Sequence, residues 1–247
     1  MNYNYKIIIE YIGKGFVGWQ IQKNGTSIQE IIEKALSKTL KSKIKVNGSG
    51  RTDAGVNAIG QTANFILKTE IKNRFKFLST VNYYLNKFSI SIIDLKKKEL
   101  NFHARHSAKK RVYEYIISNR KTKLSIDKHR AWLVKKKLDI KKMKRGANYF
   151  LGIHDFSAFR ASTCSAKSPV KKIINLKVKK NKEKIIFIIE SKSFLQKQVR
   201  SMIGCLKYVG ENKWKPDKIK EVIRSKSRQK CAPPAPPEGL YLKKIIY

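Results

Sequence analysis

The segment Gly48-Ser-Gly-Arg-Thr-Asp-Ala-Gly-Val56 places three glycines within eight residues around one cation, Arg51, and one carboxylate, Asp53. Glycines at that density let backbone pass close to another group. In an extended segment residues 51 and 53 project to the same side. A cation beside Asp53 keeps it ionised, the state that a nucleophile or general base requires. Only 17 Asp and Glu stand against 56 Lys and Arg, so a carboxylate inside a Gly-rich loop draws attention. An Arg–Asp pair bracing a tight turn accounts for the same residues, and both readings stand at this point. Two other Gly-rich chemistries are excluded. No Gly-Lys-Ser/Thr is present, as a P-loop requires, and no helical pattern follows, as a dinucleotide-binding turn requires.

The remaining chemistry is set by charge. The 247 residues carry a formal net charge of +39, of which +11 falls on residues 1–105 and +28 on residues 106–247. A polyanionic partner fits such a chain, and nucleic acid fits better than a membrane surface. No helix pairs a clean basic face with a Trp/Phe/Leu face, and no apolar run approaches the ~20 residues of a membrane span. Enrichment in Lys, Ile and Asn suggests AT-rich coding, so compositional drift accounts for part of the charge. Cys164, Cys205 and Cys231 form no CxxC pair, and their odd number argues against a disulfide framework. With four scattered histidines, this disfavours a metal site and fits a reducing compartment. No secretory signal or transit peptide is evident at the N-terminus.

The elements that position these residues alternate between strands and helices. A strand is expected at 5–11, followed by a turn through Gly13, Gly15 and Gly18. A helix follows to about Leu40, opened by the capping box Ser27-Ile-Gln-Glu30 and carrying a stripe of Ile28, Ile31, Ile32, Ala35, Leu36 and Leu40. Strands are expected at 43–47, 61–67 and 88–95, with a helix at 72–86 whose apolar positions are Phe75, Leu78, Val81 and Leu85. The second part offers a strand at 109–118, a helix from Asp139 to Leu151, and a hairpin of 170–180 with 184–191. A helix at 194–209 stops at Gly210, Pro216 opens a shorter one, Ala232–Pro237 forms a stiff connector, and 240–246 is a last strand. The fold class is α/β (α+β), with two similar subdomains, 1–105 and 106–247, and mixed or antiparallel sheets flanked by helices.

Several ordered segments resemble the tRNA pseudouridine synthase A family. Gly50-Arg-Thr-Asp-Ala-Gly-Val56 with Gly60-Gln61 and Phe65 is similar to its signature loop. Tyr11-Ile-Gly13, Gly18-Trp-Gln20 and Ser27-Ile-Gln-Glu30 resemble its N-terminal pattern, and Phe102-His-Ala-Arg105 with Ser107-Ala108 its central motif. Tyr113-Glu-Tyr115, His154-Asp-Phe-Ser157, Phe159-Arg160, Phe194-Leu195, Val199-Arg200, Gly204 and Glu238-Gly-Leu-Tyr241 then follow in the family's order, over nearly the whole chain. The resemblance implies a pseudouridine synthase fold with a central cleft. It implies isomerisation of uridine to pseudouridine at positions 38, 39 and 40 of the tRNA anticodon stem-loop, in the cytoplasm, by a homodimer without cofactor or metal. It makes Asp53 the essential carboxylate, Tyr113 the active-site tyrosine and Arg200 the partner of Asp53. Arg51, His103, Arg105, Arg160 and Tyr113 become the residues expected to contact RNA, although a satisfied structural histidine describes His103 equally well.

This chain departs from the family at four positions: Asn57 in place of histidine, Lys197-Gln198 in place of an aromatic-His or His-Met stretch, and Ser201 in place of asparagine. None of the four is Asp53, Tyr113 or Arg200. Three other readings of the chain remain distinct: an RNA-binding module without catalysis, a metal-dependent nuclease, and a ribosome-associated structural protein. The nuclease needs clustered carboxylates, which the sequence does not group. The ribosome-associated reading leaves the Gly-Arg-Thr-Asp loop unexplained.

Overall fold

A computed structural model describes all residues, Met1–Tyr247. The chain divides into two compact units, the first formed by Met1–Lys109 with Leu242–Tyr247 and the second by Lys110–Tyr241. Both are mixed α/β with mostly antiparallel sheet, as the alternation of patterns predicts.

In unit 1, strand β1 (Tyr3–Tyr11) lies between β3 (Asn57–Leu67) and β4 (Ile90–Lys98), antiparallel to both. The short β2 (Asn47–Gly48) pairs with β3. Alternate residues of β1 face the core, which places Tyr5, Ile7 and Ile9 among Phe65, Ile92 and the helices. Helix α1 (Ile28–Leu40) starts at Ser27, whose Oγ accepts the Glu30 N–H at 3.2 Å, and it buries the expected Ile28, Ile31, Ile32, Ala35 and Leu36. Helix α2 (Arg74–Leu85) packs on α1 and β4.

Two expectations for unit 1 fail for identifiable reasons. The strand expected at 43–47 shrinks to Asn47–Gly48, because α1 side chains take its backbone donors. Ile44 N–H donates to Ser37 Oγ at 2.9 Å, and Val46 N–H to Glu33 Oε1 at 3.0 Å. In α2 the buried stripe is Phe77, Val81 and Leu85, whereas Phe75 is 81% exposed and Leu78 half-buried. Asn73 caps the Lys76 N–H at 2.8 Å and so sets the helix phase, turning Phe77 inward in place of Phe75.

Unit 2 pairs β5 (Lys110–Ser118) with β9 (Lys184–Ser191), β9 with β8 (Val170–Asn181) and β8 with β7 (Gly152–Asp155), all antiparallel. The two-residue β6 (Trp132–Leu133) runs parallel to β5. Helix α3 (Ile140–Asn148) begins at Asp139, which caps the Lys142 N–H at 2.9 Å. Helices α4 (Gln198–Gly210) and α5 (Lys218–Ser225) follow. Helix α4 starts four residues later than the expected 194. Lys197 turns left-handed (φ 62°), and Gln198 folds its side chain back so that Oε1 accepts the Leu195 N–H at 2.8 Å.

The last strand, β10 (Leu240–Ile246), ends in unit 1. Its backbone passes so close to β3 that a Cβ on Gly60 would lie 2.5 Å from the Lys243 carbonyl oxygen. The Lys109 N–H donates to the Ile246 carbonyl at 2.8 Å, which secures the end of the chain. No helix is long and apolar enough to cross a membrane.

Candidate active site

The Asp53 loop is built by close backbone packing and a set of buried hydrogen bonds. A Cβ on Gly13 would stand 2.2 Å from the Val56 carbonyl oxygen, and one on Gly18 would stand 2.6 Å from that of Thr52. The turn after β1 therefore lies directly on the backbone of residues 52–56, and the Trp19 N–H donates to the Thr52 carbonyl at 3.1 Å. Buried Thr52 bonds Tyr11 through their hydroxyls at 2.7 Å. On the other flank, the Gln61 amide donates to the Gly50 carbonyl at 2.8 Å, while its Oε1 accepts from Ser49 Oγ at 2.8 Å. The Val56 N–H closes the turn on the Asp53 carbonyl at 3.1 Å, with Gly55 left-handed at φ 75°.

Asp53 itself is half-exposed between buried Thr52 and Val56. Its side chain is thus presented from a backbone fixed on both sides, the arrangement that a reacting group needs. The exposed Arg51 side chain takes no part in these bonds. The loop's geometry comes from Tyr11, Trp19, Gln61 and the glycines, so turn bracing by Arg51 is not needed to explain it.

Asn57 lies under the same loop. It is fully buried, and its Oδ1 accepts the Gly13 N–H at 2.8 Å. The departure from histidine at this position therefore falls on a support of the turn. Replacing Asn57 with Ala leaves the Gly13 donor unpaired in a buried place. The expected loss is about 1–3 kcal/mol of stability, measured by denaturant unfolding, with activity falling at temperatures where the fold is otherwise intact.

The Phe102-His-Ala-Arg105 turn is held by residues outside the motif. Asn4 Nδ2 donates to the Phe102 carbonyl at 2.7 Å, Asn64 Nδ2 donates to Asn4 Oδ1 at 3.0 Å, and the Ala104 N–H donates to Asn64 Oδ1 at 2.9 Å. Asn4 and Asn64 are both buried. A polar residue inside an otherwise apolar strand pattern is the signal that points to them. His103 Nδ1 accepts the Arg105 N–H at 3.1 Å, and Ser107 Oγ accepts the His103 N–H at 3.1 Å. The Arg105 side chain is exposed.

Partial burial, then the neighbouring His106 and Arg105, push the His103 pKa below the ordinary imidazole value. A group depressed in the folded state contributes stability above its unfolded pKa and loses it as pH falls through the folded value. The wild-type melting temperature should therefore drop on acidification below about pH 6.5, the ordinary imidazole value. In His103→Asn, which keeps a short acceptor, that part of the drop should be missing in a melting series from pH 8 to pH 5.

In unit 2, Tyr113 and Tyr115 share one face of β5 by their spacing. Tyr113 is largely buried and meets Phe194 edge-on, with ring centroids 5.2 Å apart. The Tyr115 hydroxyl donates to the Pro236 carbonyl at 2.8 Å. One residue earlier, the Ala235 carbonyl accepts Arg200 Nε at 2.7 Å, and the Ala235 N–H returns a bond to the Arg200 carbonyl at 2.9 Å. The Pro-rich connector thus joins the Tyr face of β5 to the first turn of α4, and the Nε bond fixes the plane of the Arg200 guanidinium. Two glycines admit it: a Cβ on Gly204 would stand 2.0 Å from the Pro233 carbonyl oxygen, and one on Gly239 would stand 2.7 Å from Tyr115 Cζ.

The departures at Gln198 and Ser201 also fall on supports. Gln198 is fully buried, and Ser201 is buried with Oγ accepting from Arg228 Nη1 at 3.4 Å. Lys197 is exposed, and Arg160 is half-exposed after a short 3-10 turn. No three His, Cys, Asp or Glu side chains are grouped to hold a metal ion.

Known proteins resemble this chain along its length. A family model described as tRNA pseudouridine synthase matches residues 7–107 and 147–247. The tRNA pseudouridine synthase A of Pelagibacter ubique is 54% identical over 245 residues, covering 99% of this chain and 100% of its own. That of Ehrlichia canis is 44% identical over 244 residues, covering 98% and 99%. A chain from the solved Cbf5-Nop10-Gar1 complex aligns with 82% of this chain and 45% of its own, at 13% identity and a TM-score of 0.35, too low to carry an argument.

Proposed function

Since the chain belongs to the tRNA pseudouridine synthase family, we propose that it isomerises uridine to pseudouridine at positions 38, 39 and 40 of the tRNA anticodon stem-loop, with Asp53 as the essential carboxylate. The observation that carries this reading is the Asp53 loop: a half-exposed carboxylate on a backbone locked from both sides by buried bonds. In the reaction the N1–C1′ bond breaks, the base turns, and C5 bonds to C1′. The C5 proton leaves and N1 gains one, so no atom is added and no redox partner is needed.

The other residues follow from what the substrate must do. A paired or stacked uridine has to leave the helix before C1′ is accessible, at a cost of a few kcal/mol. Tyr113 offers the ring on which the displaced base stacks, worth about 1–3 kcal/mol. Its hydroxyl is assigned to assist removal of the C5 proton. Arg200, whose guanidinium is oriented by the Ala235 carbonyl, is the residue assigned as the partner of the Asp53 carboxylate. Arg51, Arg105 and Arg160 contact RNA, Arg51 filling the space left by the displaced base, and His103 shapes the turn that presents Arg105. The enzyme works as a cytoplasmic homodimer.

The test uses anticodon-arm transcripts that carry uridine at only one of positions 38, 39 and 40, incubated with purified protein in excess chelator. Pseudouridine at each position supports the assignment. Conversion that stops with chelator, or that occurs only outside these positions, contradicts it. RNA affinity in the same preparation should fall steeply with salt. Contacts to six phosphates on duplex RNA give a slope of log affinity against log salt of roughly −5, borrowing the duplex DNA coefficient. A slope near zero would contradict a basic RNA surface.

A further inference from the structure

Unit 2 carries a concave surface that none of the residues assigned above lines. Lys142 and Arg145 of α3, Tyr149 at its C-cap, and Asn212, Trp214 and Lys215 of the α4–α5 loop line a pocket of about 610 Å³. That lies within the size range of sites that take small molecules, roughly 300–1,000 Å³. The two rings are held from outside the pocket. The Lys220 ammonium sits 4.5 Å from the centre of the Tyr149 ring, and Trp214 meets Tyr208 edge-on at 5.2 Å.

The loop itself is shaped by Asn212, which adopts a left-handed conformation at φ 62°. Its Oδ1 accepts Lys142 Nζ at 2.7 Å, tying the loop to α3. The Lys213 and Trp214 N–H groups both donate to the Tyr208 carbonyl, at 3.0 and 3.3 Å. Trp214 is therefore half-exposed on a backbone that does not depend on a ligand for its shape.

The charge balance of the wall is positive. Asp217 is its one carboxylate. Lys142 is partly offset by Asp139 at 3.9 Å and Lys213 by Glu211 at 3.4 Å. Arg145 and Lys215 are exposed and enter neither pair. A purely electrostatic patch explains the cations but not two half-exposed aromatic rings in a concave wall. An apolar docking groove explains the rings but not the cations. Rings that accept any base face, interleaved with cations that accept phosphate, are what single-stranded nucleic acid uses.

We propose that this pocket takes an unpaired nucleotide of the bound RNA, its base against Trp214 and Tyr149 and its flanking phosphates on Arg145 and Lys215. The nucleotide is not the reacting uridine. Arg200 lies in the first turn of α4 and the pocket at that helix's far end, about 15 Å away along the axis at 1.5 Å per residue. The inference rests on the reading of tRNA as substrate and adds a second, sequence-tolerant point of attachment to it.

The test is fluorescence anisotropy with end-labelled tRNA and wild type, Trp214→Ala, Trp214→Phe and the double variant Arg145→Ala/Lys215→Ala, over a salt series. Trp214→Ala should weaken binding about tenfold, in the range that loss of one stacked base produces, and Trp214→Phe should recover most of it. The double variant should flatten the salt slope by about 1.4, at roughly 0.7 per lost contact on single-stranded RNA. Melting temperature and kcat at saturating tRNA should stay at the wild-type value in all three variants. Wild-type affinity and salt slope in Trp214→Ala and in the double variant would overturn the proposal. So would equal weakening in Trp214→Phe, or weakening that tracks a lowered melting temperature, because either assigns the ring to packing. Anisotropy does not register isomerisation. Tight binding without pseudouridine would overturn the catalytic reading alone, and unchanged binding by the variants would overturn this one alone.

Discussion

Asp53→Asn should abolish pseudouridine formation while leaving the fold and tRNA affinity near wild type. Asn is nearly isosteric with Asp, and the bonds that shape the loop come from Tyr11, Trp19, Gln61 and backbone, none of which needs the Asp53 charge. Removing a carboxylate that acts as base or nucleophile costs at least the ~10⁴-fold at the upper end of acid–base catalysis. Single-turnover conversion with enzyme in excess measures it, with a filter-binding Kd and a melting curve on the same sample. Conversion within tenfold of wild type would remove Asp53 from the chemistry and favour an RNA-binding module. Loss of conversion with loss of melting temperature would reassign Asp53 to the fold.

The second large effect is expected at a residue that touches no substrate. In Gly204→Ala the new methyl would stand 2.0 Å from the Pro233 carbonyl oxygen. Both parties are backbone, one on helix α4 and one on a proline-stiffened connector, so neither yields by rotating a side chain. Overpacking of this kind costs roughly 1–3 kcal/mol, or about 2–4 °C in melting temperature per kcal/mol for a chain this long. The connector should lift from α4, and with it the Ala235 carbonyl that fixes Arg200 Nε. The kcat should therefore fall more than stability alone explains, with KM for tRNA changing less. A variant that loses stability but keeps kcat at a temperature where it is fully folded would show that the connector does not position Arg200. Ser201→Ala, which removes only a 3.4 Å bond from Arg228, serves as the comparison and should cost far less.

Much of this was legible from residue types. Period-3.6 stripes located α1 and α3, Gly210 marked the end of α4, and Ser27 and Asp139 marked the starts of α1 and α3 by their own chemistry. The glycines around Asp53 announced close packing, although which backbone they pack on is visible only in three dimensions. It is the turn at Gly13 and Gly18, some forty residues upstream. What misled were places where tertiary bonding overrides local pattern. Ile44 and Val46 look like strand, but their donors go to Ser37 and Glu33. Phe75 fits the helical period and is nevertheless exposed.

Nothing in the sequence marks Asn57, Gln198 and Ser201 as supports of the fold. Asn57 and Gln198 make buried bonds, and Ser201 a partly buried one. Composition cannot reveal this, because the same side chain serves either role and only its partner decides. The return of residues 242–247 to unit 1 has no local marker either, since one Ile-rich strand end resembles another.

The most direct measurement follows the C5 hydrogen. Transcripts made with [5-³H]uridine release tritium to solvent only if C5 exchanges its hydrogen for the bond to C1′. Wild type should release one equivalent for each pseudouridine formed, leave the RNA chain unbroken and liberate no free uracil. Absence of tritium release by folded, tRNA-binding protein, or release accompanied by free uracil or strand scission, would contradict isomerisation as the activity of this chain.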